Sequence, residues 1–291
     1  MTLTDSISPS RQTPTHDIYD LGDRWLYVAT DQITISGVKL PDLIPNKGRA
    51  VTQLAVYWYE LLQSIIGTNF ISAELDQLPD ELAKQAEQLA GRSLILAKVE
   101  DIPLQARVYG YLTHDVEPEY LAAGTVGGVE AEPGLVLNSH LDQCIYIPWR
   151  TDESGEIVEQ TDLMGTIGMY GTRDGMVLCS NSLELYEIVH GLARAADVIW
   201  AEMRIAFGWV EEQVVLTSVP LPDNSLLWAD GDYQAGAELA DLVRQPAQDW
   251  LAANWDKAGY PPALPAQLVE GLSRRYIELC ESITNEEFIA G

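Results

Sequence analysis

The sequence predicts an α+β protein of two lobes, a strand-rich N-terminal lobe over residues 16–105 and a larger α/β C-terminal lobe over 106–291, behind a flexible tail at 1–15. Three observations carry this reading. Candidate strands dominate the N-terminal third of the chain, and helical spacing dominates the C-terminal third. Between them, residues 200–228 hold two apolar, β-rich runs at 205–208 and 214–219 around a short polar turn. A Pro222-Asp223-Asn224-Ser225 turn and Trp228 follow.

The elements are read in order. Residues 17–20 and 24–29 form two short strands around the Leu-Gly-Asp turn at 21–23, and 31–40 is a third. A loop covers 41–48. Residues 49–66 show helical spacing, with Val51, Leu54, Ala55, Trp58, Leu61, Leu62 and Ile65 on one face and Gly67 as the stop. A short surface helix is expected at 80–89. Strands follow at 93–99 and 105–111, split by the Asp-Ile-Pro turn at 101–103. Residues 113–140 read as irregular, 143–148 as a strand and 150–162 as polar and mobile. Residues 182–198 carry a broad apolar helical face, capped by Asn181 or Ser182. Helices at 248–254 and 265–281 finish the chain.

Composition excludes several classes of function. The chain has 17 Lys and Arg against 44 Asp and Glu, a net charge of −27. Like charge on the phosphate backbone excludes nucleic acid as a partner, and it disfavours anionic membrane surfaces. No apolar run reaches the length of a membrane span, and residues 1–15 lack the apolar segment of a signal peptide. The three cysteines, Cys144, Cys179 and Cys280, form no CxxC, which points to a reducing cytoplasm. A small-molecule substrate is the expected partner.

The generic motifs are absent: no GxGxxG, Walker loop, GxSxG or HExxH. Residues 124–128 (GTVGG) read as a flexible loop rather than a phosphate cradle. None of His16, His114, His140 and His190 stands at metal-ligand spacing with another, and no metal site is expected. His190 reads as structural, and His114 and His140 flank the irregular stretch, where either can serve as an acid or base. Asp31, Asp42, Asp223 and Asp232 sit beside turns. Glu202 and Arg204 share one strand face, where an ion pair and a polar site wall are both open readings.

Longer motifs then carry a resemblance. His16-Asp17-Ile18-Tyr19-Asp20, Ala29-Thr30-Asp31-Gln32-Ile33-Thr34, Leu40-Pro41-Asp42-Leu43-Ile44-Pro45-Asn46-Lys47-Gly48, Tyr109-Gly110-Tyr111-Leu112, Glu202-Met203-Arg204-Ile205-Ala206-Phe207-Gly208 and Pro222-Asp223-Asn224-Ser225 stand in the order of matching motifs in one family. The chain resembles the phosphoribosylaminoimidazole-succinocarboxamide synthases, or SAICAR synthetases, from about residue 16 to residue 285. The resemblance implies a two-lobed α+β fold with a nucleotide cleft, and ATP with magnesium as cofactors. A homo-oligomer is one state it leaves open.

The departures fall on charged positions. By the resemblance, Thr13-Pro14 replaces a nucleotide-loop Gly-Lys, Ala206 a metal-side glutamate and Thr217-Ser218 an Asp-Glu pair. Tyr109 and Leu226 replace substrate-facing arginines, Gln32 an arginine and Gln143 a glutamate, and a serine-rich turn becomes His114-Asp115-Val116. Asp31, Lys47, Lys98, Glu100, Asp223 and Ser225 are retained. Phosphoryl transfer needs magnesium and cations around its oxygens, and these substitutions remove both. The expectation is therefore an enzyme that has lost ATP-dependent ligation, needs no cofactor and performs acid/base or positional chemistry on a less charged molecule in specialised metabolism. His114, Asp223, Tyr109 and Lys47 would be catalytic, and Asp31, Lys98, Glu202, Arg204 and Ser225 would bind substrate. A working ATP-dependent ligase and a non-catalytic binding protein remain the alternatives.

Overall fold

Fifteen strands and seven helices occur among the described residues of the computed structural model, which are 8–13, 15–35, 37–75, 78–152 and 155–290. In chain order the strands and helices are β1 (Arg11–Gln12), β2 (His16–Asp20), β3 (Arg24–Ala29), β4 (Gln32–Ile35), β5 (Val38–Leu43), α1 (Lys47–Leu62), β6 (Phe70–Ser72), α2 (Asp80–Ala83), α3 (Ala86–Leu89) and β7 (Ser93–Ala97). There follow β8 (Glu100–Tyr111), α4 (Glu117–Ala123), β9 (Thr125–Val126), β10 (Val129–Glu130), β11 (His140–Thr151), β12 (Ile157–Gln160) and α5 (Leu163–Ala195). The chain ends with β13 (Val198–Val210), β14 (Gln213–Ser218), β15 (Leu226–Ala229), α6 (Gln245–Asn254) and α7 (Ala266–Thr284). The α+β class holds. Contacts divide the chain into two compact units, but residues from Val243 onward join the first of them rather than the second.

The first unit contains an antiparallel sheet in the order β1-β2-β3-β7-β6 and a separate β4–β5 hairpin. Arg11 and Gln12, expected in a mobile tail, pair with Ile18 and Asp17. The single strand expected at 31–40 is a hairpin, turned at Gly37 with φ of 79°. Helix α1 buries Val51, Leu54, Ala55, Trp58 and Leu62 on one stripe and ends at Leu62, short of the expected stop. The surface helix expected at 80–89 is two short helices whose Leu82 and Leu89 are buried. Helix α7 repeats apolar residues at helical spacing (Leu272, Tyr276, Leu279, Ile283) and stops at Asn285, which takes the left-handed conformation.

The second unit is built on a sheet in the order β12-β11-β8-β13-β14, with β15 beside β14 along the same edge of β13. Strand β8 continues through the Asp-Ile-Pro turn that was expected to divide it. Pro103 sits where the β8–β13 ladder shifts register, between the Gln105–Ala206 and Asp101–Gly208 pairs, and such an irregularity tolerates a residue without an N–H. The polar stretch after Arg150 folds back as β12 to pair with β11. Residues 113–140 are not irregular throughout. They hold α4 and the β9–β10 hairpin, and the carboxylate of Glu119 accepts the N–H groups of Gly127 and Gly128 at 2.9 and 2.8 Å. Those amides are thereby committed to the protein itself.

Helix α5 packs on β13, β11 and β8. It starts nearly twenty residues before the expected helix, capped by Asp162, whose Oδ1 accepts the Gly165 N–H at 2.7 Å. Gly171 breaks it with φ of 84° and ψ of 164°. No helix among the described residues is long and apolar enough to cross a membrane.

Candidate active site

In the second unit, the register of the two central strands assembles a polar row. Tyr109 on β8 stands opposite Glu202 on β13, and Arg107 stands opposite Arg204. Residues two apart on a strand share a face, so all four side chains project to the same side of the sheet. The Arg204 guanidinium donates to both oxygens of Glu202, at 2.6 and 2.9 Å. Glu202 is buried, while a third of the Arg204 side chain is exposed. Burial works against the charge of Arg204, but the Glu202 carboxylate holds its pKa above the ordinary value.

Tyr109 is buried and donates its hydroxyl to Asp115 Oδ2 at 2.6 Å, while Thr113 donates to Asp115 Oδ1. Burial, then the carboxylates of Glu202 and Asp115, push the phenol far above its usual range. Tyr109 therefore stays neutral and works as a hydrogen-bonding group, not a base. Arg107 reaches Gln105 at 2.9 Å and stacks over Trp149 at 4.5 Å. The sequence reading missed Arg107, although alternation along the expected strand 105–111 places it beside Tyr109.

A turn frames this row. Asn224 accepts the Leu221 N–H at 2.8 Å and donates to the Arg204 carbonyl at 3.3 Å, which ties the turn to β13. Asp223 and Ser225 flank Asn224. Ser225 is buried and donates to Asn224 Oδ1 at 3.2 Å. His114 stands apart from the row: it is exposed, and its Nε2 lies 2.8 Å from Glu238.

The remaining expected residues lie in the first unit. Asp31 is committed to structure. Its Oδ1 accepts the Gly48 N–H at 2.9 Å and its Oδ2 meets Arg92 at 3.3 Å, which anchors the start of α1. Lys47 is fully buried, its ammonium 5.4 Å from the centre of the Tyr276 ring. Lys98 bonds Asp20 at 2.7 Å and lies over Trp25.

The positions where the resemblance puts metal-binding carboxylates do meet. Ala206 pairs with Ser218 across β13 and β14, and Thr217 is skipped in the register shift beside them. None of the three offers a carboxylate, and no group of three or more His, Cys, Asp or Glu side chains among the described residues could hold a metal ion. The residues present do not make a preformed magnesium site. Pro14 of the replaced nucleotide loop lies outside the described residues.

The second unit of this α+β protein thus presents a bidentate Arg–Glu pair and a buried phenol on one sheet face, framed by a pinned Asp-Asn-Ser turn. Comparison with known proteins identifies its family. The family model for SAICAR synthetase matches residues 14–261, and the chain belongs to that family. A phosphoribosylaminoimidazole-succinocarboxamide synthase of Desulforapulum autotrophicum is 29% identical over 279 residues, 95% of each chain. Its counterpart in Desulfosudis oleivorans is 30% identical over 264 residues, 90% of each. The SAICAR synthase from Saccharomyces cerevisiae, solved in complex with SAICAR, matches with a TM-score of 0.90 at 27% identity over 99% of this chain and 98% of that one.

These findings overturn one expectation. A chain that has abandoned ATP-dependent ligation for acid/base chemistry on a less charged molecule, in specialised metabolism, does not agree with end-to-end likeness to proteins named as synthases. The charge substitutions do not by themselves carry a loss of the nucleotide site. One physical reason is that magnesium keeps several waters and is held largely by a nucleotide's own phosphates, with one or two protein carboxylates.

Proposed function

We propose that the protein joins aspartate to carboxyaminoimidazole ribotide at the expense of ATP. What supports this reading is likeness along the whole chain, which includes a relative of nearly the same fold solved in complex with SAICAR. Amide formation from a carboxylate and an amine is unfavourable in water, and ATP with magnesium supplies the driving force when bound.

Residues of the second unit are assigned roles in this reaction as follows. Arg204, held in plane by Glu202, presents a guanidinium edge to an anionic group of a substrate. Tyr109 and Thr113 converge on Asp115 and hold its loop against β8. Asp223 and Ser225 line the turn that fixes the approach to β13. His114, exposed beside Glu238, stands apart from this row and is given no part in the chemistry.

The test is direct. Purified protein is given aspartate, carboxyaminoimidazole ribotide and magnesium ATP, and both the product mass and ADP release are followed. Formation of both is expected. Arg204→Gln should raise KM for the anionic substrates by about tenfold or more, since a hydrogen bond to a charged group contributes roughly 1.5–3 kcal/mol. A folded protein that makes no product under any magnesium concentration overturns the reading.

A further inference from the structure

A cavity of about 550 Å³ that the proposed reaction leaves unused lies entirely within the second unit. That volume suits a small organic molecule of some twenty heavy atoms, within the roughly 300–1,000 Å³ of ordinary ligand sites. Its walls come from the β9–β10 hairpin and the loop after it, from the irregular start of β11 and from α5. Leu135, Leu141, Ile145, Leu163 and Leu183 make the body of the cavity apolar.

Two polar features break that lining. Tyr146 lines the cavity and is 8% exposed. Its buried hydroxyl has no hydrogen-bond partner among the described residues. Thr166 lies near it and donates its own proton to the Asp162 carbonyl at 2.9 Å, but the Tyr146 and Thr166 hydroxyls do not form a bond of ordinary geometry. A buried hydroxyl left without a bond is destabilising, a cost that a ligand can remove. The second feature is the rim, where Glu130, Glu132, Asp142 and Asp162 carry four carboxyl groups and no lining residue is basic. Glu132 and Asp142 share a hydrogen bond, and this contact, with the repulsion that accompanies it, holds Glu132 above the usual carboxylate range. A cation placed between them relieves that repulsion.

The thiols in the wall do not offer an alternative chemistry. Burial, then Glu187, pushes Cys144 up to about 12, and burial raises Cys179 as well, so both stay neutral and behave as apolar surface. The cavity wall is also built rather than incidental. Glu119 holds the β9–β10 hairpin by three hydrogen bonds, and Tyr120 both donates to the Glu132 carbonyl and accepts the Leu135 N–H.

We propose that this cavity binds an organic cation with an apolar body, such as an arylalkylamine, with its ammonium at Glu132 and Asp142 and its body against Leu135, Leu183 and Tyr146. Tyr146 pairs with Val108 and so faces the opposite side of the sheet from the Tyr109–Glu202 row, while Ile145 pairs with Tyr109 and gives the cavity one wall on the row's own side.

The experiment uses the full chain and two probes of matched shape, tryptamine and indole-3-propionate, titrated by calorimetry. Tryptamine should bind and indole-3-propionate should bind at least about tenfold more weakly, a difference of about 1.4 kcal/mol. The double variant Glu132→Gln, Asp142→Asn changes only exposed side chains and should weaken tryptamine about tenfold while its thermal stability and ligation rate stay unchanged. Cys179→Trp should fill the cavity and abolish binding of both probes. Absence of tryptamine binding, equal binding of the anion, or full affinity in the double variant would each overturn the proposal. Failure of the ligation assay with tryptamine still bound would overturn the proposed ligation and support this site.

Discussion

A methyl group at position 110 has nowhere to go. A Cβ built on Gly110 would lie 1.9 Å from the Tyr186 hydroxyl and 2.6 Å from the ring carbon that bears it. Tyr186 cannot swing aside easily, because it is buried and donates to the Trp200 carbonyl at 2.8 Å. Gly110→Ala should therefore cost at least the roughly 1–3 kcal/mol typical of overpacking, read as a lower urea midpoint. Tyr186→Phe removes the closest clash and should recover part of that loss, so the double-mutant cycle should show favourable coupling. The neighbouring His190 gives a pH prediction. It is partly buried among Tyr111, His140 and Tyr186, with Nδ1 3.3 Å from the Trp200 carbonyl and Glu187 and Arg194 nearby on its helix. Burial lowers its pKa below the ordinary 6.5. Between those two values the unfolded chain holds the proton and the folded chain does not, so stability falls as pH drops below about 6.5, by at most about 1.4 kcal/mol per pH unit for one proton. His190→Gln should flatten that part of the curve, and urea titrations at neutral and mildly acidic pH would show it.

At the scale of elements, α5 holds four glycines in its first half, at 165, 168, 171 and 175. Glycine propensity argues against a helix there, and the sequence reading began the element only at 182. Tertiary packing overrides the propensity, and Gly171 takes a conformation open in practice to glycine alone. A Cβ at 171 would touch nothing within 4 Å, so a substitution there reports backbone strain without a clash. Gly171→Ala should cost about 1–3 kcal/mol in thermal or urea unfolding, and an unchanged midpoint would show that the helix straightens freely. Helices with a clean apolar stripe, such as α1 and α7, were legible to within a few residues. The β4–β5 hairpin and the continuous β8 were not, because a turn at Gly37 and a strand through Pro103 depend on pairing partners far away in sequence. The row was partly legible: Glu202 and Arg204 were placed on one strand face from their spacing alone. Asp115 was seen only as a replaced turn, since its bond to Tyr109 needs the fold to close.

Over the whole molecule, charge is the dominant long-range quantity. A net charge of −27 spread over 291 residues repels itself in the compact state and less in the expanded one. Few of the ion pairs offset this: most sit at the surface, as with Arg24–Asp23 and Arg173–Asp174, and exposed pairs contribute about 0–1 kcal/mol. Salt shortens the reach of the repulsion, with a screening length of about 10 Å at 0.1 M and about 3 Å at 1 M. Raising sodium chloride from low to high concentration should therefore raise the melting temperature by several degrees, since ~1 kcal/mol moves a domain of this size by only a few degrees. The same titration at a pH closer to the isoelectric value of about 4.2 should show a much smaller slope, because protonated carboxylates no longer repel. A slope that does not change with pH would mean that the ions act through water structure and apolar burial instead. Magnesium chloride at matched ionic strength separates general screening from a bound ion: equal shifts indicate screening alone, and a larger, saturating shift with magnesium would show that single carboxylates such as Asp223 suffice to hold the ion without nucleotide.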